Sequence, residues 1–100
     1  RDFIHVDDVT AINKKFLENQ NLGGIYNVGT GTERSFTDIA KIVSERYGSK
    51  IEYIDMPEKL QGKYQKYTKS DNTKLSSMIE HQFSTLEEGI AKYLDFLENR

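Results

Sequence analysis

The sequence has no cysteine and no tryptophan, only one proline (Pro57), and no apolar run approaching 18 residues. Without cysteine there is no disulfide scaffold, thiol nucleophile or cysteine metal site. This is compatible with a reducing cytoplasm. Without a long apolar run there is no signal for a membrane-spanning helix. Net charge is also scarce: the formal total is −2, which gives no global pull toward nucleic acid or anionic lipid. No period repeats, and no stretch is low in complexity.

What is present fits one compact domain of 100 residues. Hydrophobic residues make up 36%, low for a free-standing domain, while five phenylalanines and six tyrosines argue for real packing. The chain opens on Arg1 and not on Met, and the expectation is that it belongs to a longer protein.

Short β-prone runs alternate with helical patterns. Phe3–Val6, Ile25–Val28 and Ile51–Ile54 read as strands. Asp8 is placed to cap a helix from Val9 to about Glu18, with Val9, Ile12 and Phe16 on one face. Ser35, with Asp38 three residues on, opens a second helix that carries a stripe from Phe36 to Tyr47 and stops at Gly48. Glu58 to Lys69 reads as a long ordered loop. Asp71 is placed to cap a short helix through Met78. Ser84 and Glu87 read as a capping box for a last helix with Leu86, Ile90, Leu94 and Leu97. The expected class is α/β, with few short strands and about four helices. Three strands make a meagre sheet with unpaired edges, so the missing part of the protein is expected to complete it.

Gly29-Thr30-Gly31, between a strand and a helix, is the setting in which a glycine loop holds a phosphate. Arg34 stands where the dinucleotide fingerprint needs its third glycine, so an ordinary turn is the plainer reading. None of the six tyrosines has a lysine four residues later, so a tyrosine-lysine acid/base pair is absent. His5 near Asp7 and Asp8 lacks the converging partners a metal needs, and no metal site is assigned. The region from Glu58 to Lys74 carries five lysines against two carboxylates, a local +3 that leaves −5 for the rest. Tyr64 and Tyr67 interleave with those lysines. Cations beside aromatic rings suit an anionic ligand with a flat or sugar-like part, such as a nucleotide sugar. A solvated basic loop is the plain alternative, and the acidic remainder argues against nucleic acid.

Arg1-Asp2-Phe3-Ile4-His5-Val6-Asp7-Asp8-Val9 and Ile25-Tyr26-Asn27-Val28-Gly29-Thr30-Gly31 with Ser35 resemble two blocks of the extended short-chain dehydrogenase/reductase superfamily, in the second half of its nucleotide-sugar epimerases and dehydratases. The run from Ile51 to Gln65, with Thr68, Asp71, Thr73-Lys74-Leu75 and the segment Phe83 to Gly89, is similar to the ADP-heptose 6-epimerase branch. The resemblance spans essentially the whole chain and implies the C-terminal, substrate-binding lobe of a Rossmann-type enzyme. Residues 1–100 would be that lobe, with the dinucleotide-binding domain, NADP and the catalytic residues upstream. It further implies an isomerase that inverts C6 of an ADP-linked heptose, serves lipopolysaccharide core synthesis in a Gram-negative cytoplasm, and forms a homo-oligomer. Other nucleotide-sugar epimerases or dehydratases, or a non-catalytic binding module, are the alternatives. By resemblance, Arg1 binds the substrate diphosphate and Tyr64 contacts substrate. Lys63 stands where related enzymes often carry arginine, keeping the charge but not the bidentate fork. No cofactor-binding residue, metal ligand or membrane contact is expected in this chain.

Overall fold

The computed structural model describes residues 1–100. It contains four α-helices: α1 (Val6–Glu18), α2 (Phe36–Tyr47), α3 (Thr73–Met78) and α4 (Leu86–Glu98), with a 3₁₀ turn at Glu58–Leu60. The number of helices agrees with the sequence pattern. The strands do not appear. Phe3–Val6, Ile25–Val28 and Ile51–Ile54 form no ladder, and α1 absorbs Val6. A strand exists only by pairing with another, and none of these segments has a ladder partner. The Arg1 backbone exchanges two hydrogen bonds with Arg34, each 2.8 Å. The Ile25 carbonyl accepts from Lys74 Nζ at 2.7 Å. The expected α/β sheet is therefore corrected to a helical arrangement joined by extended segments.

The helix ends show how local sequence sets these boundaries. At α2 the Ser35 hydroxyl accepts from the Asp38 amide, the Asp38 carboxylate accepts from the Ser35 amide, and Gly48 closes the helix with φ of 66°. At α4 the box lies one residue later than expected: Thr85 and Glu88 cap each other, while the Ser84 amide turns to Asp8. At α1 the cap is His5, whose Nδ1 accepts from the Asp7 amide at 3.0 Å. Asn72 occupies the cap position of α3, but Asp71 accepts from the Thr73 amide and hydroxyl.

The core is small. Ile12 of α1 packs with Leu75 of α3 and with Ile79, and Phe16, Leu22, Tyr26 and Phe83 close around them. Only five residues are buried in the whole chain. The extents explain this: 49 × 38 × 20 Å, with a radius of gyration of 16.5 Å, against about 13 Å for a compact chain of this length. In a plate this thin, few side chains lie far from water. No helix is long and apolar enough to cross a membrane.

Candidate functional site

Arg1 and Tyr64, 63 residues apart, meet on one face of the plate. The Arg1 guanidinium carbon lies 4.8 Å from the Tyr64 ring centroid, and Nε donates to the Tyr64 hydroxyl at 3.3 Å. The terminal nitrogens of Arg1 make no hydrogen bond within the chain, which leaves its fork of donors available. Tyr64 is positioned from both sides. Its amide donates to the Leu60 carbonyl at the end of the 3₁₀ turn, and its ring lies 6.2 Å from that of Phe36 at the start of α2. Phe36 in turn meets Phe3 edge-on at 5.4 Å.

The neighbouring Asp2 holds the rest of the site. Its carboxylate accepts from the Thr30 amide at 2.9 Å, the Gly31 amide at 2.9 Å, the Ser70 amide at 3.0 Å and the Thr30 hydroxyl. Its own amide donates to Thr68 Oγ1. Burial pushes this carboxyl upward, but the bonds from Thr30, Ser70 and Gly31 outweigh it, and its pKa falls below the ordinary aspartate value. Gly29 is buried at this junction, where a Cβ would stand 2.5 Å from Ser70 Cβ and 2.8 Å from Asp2 Oδ2. The glycine loop is thus a backbone cradle already filled by a carboxylate of its own chain. Arg34, in place of the third glycine, grips Glu87 with two bonds and Asp38 with a third, tying α2 to α4.

The basic region divides in two. Lys69 pairs with Glu33 at 3.2 Å, which raises its pKa. Lys74 caps the Ile25 carbonyl and lies over the Tyr26 ring. Those two are structural. Lys59, Lys63 and Lys66 are exposed and form no ion pair, so they carry the local positive charge. Lys63 directly precedes Tyr64, although no bond joins it to Arg1.

Asp8, expected as a cap, has another role. It is buried inside the first turn of α1 and accepts from His81 Nε2 at 2.9 Å and the Ser84 amide at 3.1 Å. Burial raises its pKa, and the His81 and Ser84 bonds lower it further than burial lifts it. Lys15 Nζ, a donor only, lies 3.3 Å from His81 Nδ1 and also reaches the Glu80 carbonyl. The chain Lys15–His81–Asp8 pins α1 to the segment leading into α4. Its cross-chain character had no local signal in the sequence. Groups of three or more metal-binding side chains do not occur.

No family model matches the chain. It is 49% identical to an ADP-L-glycero-D-manno-heptose-6-epimerase of Brachyspira hyodysenteriae, in an alignment of 100 residues that takes in 98% of this chain and 31% of the relative. The chain therefore spans just under a third of the length of the curated relative it matches.

Proposed function

We propose that this chain is the substrate-binding part of an ADP-heptose 6-epimerase of the extended short-chain dehydrogenase/reductase superfamily. In this reading the intact enzyme converts ADP-D-glycero-D-manno-heptose to ADP-L-glycero-D-manno-heptose by NADP-dependent transient oxidation and reduction at C6. It works in the cytoplasm and assembles as a homo-oligomer. The observation that carries the reading is Arg1 seated on Tyr64, 63 residues away in sequence, with its terminal nitrogens uncommitted. A guanidinium held in this way presents parallel donors that match two phosphate oxygens.

The role of this chain is to bind and orient. Arg1 takes the diphosphate, Tyr64 borders the substrate, and Lys63 adds positive charge at the rim. With the Thr30 and Gly31 amides committed to Asp2, NADP is assigned to the protein's N-terminal domain, and no reaction step is assigned to these residues. The chain alone is expected to be inactive.

The test is a calorimetric titration of the intact protein that carries this chain, using ADP- and UDP-linked sugars. ADP-heptose should bind best, and Arg1→Ala should weaken that binding much more than it weakens NADP retention. A preference for UDP-glucose or UDP-galactose would move the assignment to another nucleotide-sugar epimerase. Equal loss of substrate and NADP would remove Arg1 from the diphosphate site.

A further inference from the structure

We infer that Phe36 is a positioning residue for the Arg1 grip, acting through Tyr64. The inference rests on the reading of Arg1 as the diphosphate ligand and adds a residue to it. Phe36 is 54% exposed at the first position of α2, a helix in which no residue is fully buried. Its place in the core does not explain it. Its contacts do: one side of its ring meets Phe3 at 5.4 Å and another meets Tyr64 at 6.2 Å, both within the range of favourable aromatic pairs.

Arg1 is fourth in this series. Its guanidinium lies over the Tyr64 ring, and its Nε bonds the same residue's hydroxyl. Tyr64 sits in a loop tied to the 3₁₀ turn through its amide. Without Phe36, the Tyr64 ring loses its one aromatic partner, and the guanidinium loses a surface whose orientation that partner fixes. Phe3 sits two residues from Arg1, so the same short peptide supplies both the first ring and the cation. α2 is anchored independently by its capping box and by Arg34, so it acts as a fixed post for the series.

The experiment uses the intact protein and ADP as the probe. Phe36→Leu keeps an apolar side chain but removes the ring, and it should weaken ADP binding about threefold to tenfold, the range expected for losing one aromatic pair. Phe36→Tyr keeps the ring and should restore binding to within about twofold of wild type, by the same reckoning. The second readout is the Arg1 Nε–H cross-peak in a 15N NMR spectrum. It should be sharp in wild type and in Phe36→Tyr, and broadened or lost in Phe36→Leu while the unfolding midpoint stays unchanged. An unchanged cross-peak together with unchanged ADP affinity in Phe36→Leu overturns the inference, even if Arg1→Ala still abolishes ADP binding. If Arg1→Ala leaves ADP affinity intact, the diphosphate reading fails, and the cross-peak alone then decides whether Phe36 positions Arg1. Should Phe36→Leu unfold, Phe36→Met is subjected to the same two measurements.

Discussion

The two clusters that hold this chain together use different forces. Around α1 and α3, Ile12, Leu75 and Ile79 are removed from water and touch one another. Between α2 and α4 no residue is fully buried, and the ties are ionic. Arg34 joins Glu87, and Arg46 joins both Asp95 and Glu98 while Tyr47 donates to Glu98 at 2.6 Å. Burial is insensitive to salt and unforgiving of lost volume. Exposed ion pairs tolerate substitution and weaken as salt screens them. The proposed substrate grip draws on the second, softer side through Phe36, and on Asp2 for its rigid support.

The contrast is broken most directly at Leu75. Truncation to alanine in the core of α1 and α3 should destabilise the intact protein by about 2–5 kcal/mol, read as a lower denaturant midpoint. A loss under about 1 kcal/mol would show that the site collapses around the gap.

Acid probes the same side. The Asp8 carboxyl titrates below its unfolded value of about 3.9, so its contribution is full above that value and is lost as pH falls through the lower folded value. Asp2 follows the same sign. Thermal melts from pH 6 down to pH 2 should show stability falling below about pH 4, and Asp8→Asn should flatten part of that fall. An unchanged profile in the variant would place the acid sensitivity elsewhere.

On the ionic side a gain is available. A Cβ on Gly89 would meet His5 atoms at 3.5 and 3.6 Å, ordinary contact distances. Gly89→Ala should therefore stabilise α4 by up to about 1 kcal/mol through helix propensity, seen as a higher midpoint. A lower midpoint would mean that His5 cannot yield. The smallest effect is expected for Arg46→Ala. Its destabilisation should shrink between 0.05 and 1 M sodium chloride, as screened exposed pairs do (roughly a Debye length of 3 Å at the upper end). A loss independent of salt would show that Arg46 acts by packing on Tyr47, 5.9 Å away.

The parts legible in the sequence were those decided within a few residues. Ser35, Asp38 and Gly48 bounded α2 correctly because caps depend on neighbours along the chain. The three strands misled because β-propensity describes a residue fit for a ladder, and a ladder needs a partner. Tyr53 and Ile54 stand 74% and 85% exposed where a strand is expected. Asp8 reads locally as a cap and Asp2 has no local signal, yet their partners lie up to 76 and 68 positions away. The meeting of Arg1 and Tyr64 was legible only through family resemblance, because spacing alone does not bring a first residue to a sixty-fourth.

The Asp2 hub also sets an order in time. A ribosome adding roughly 5–20 residues per second delivers Ser70 some seconds after Asp2, since 68 positions separate them. Until then the carboxylate can seat only Thr30 and Gly31, and until Tyr64 emerges, shortly before Ser70, Arg1 has no ring beneath it. The first residues of this segment are thus among the last to find their place. Early synthesis supplies the cradle for Asp2, and the anion-gripping face is assembled only once the second half of the segment has emerged.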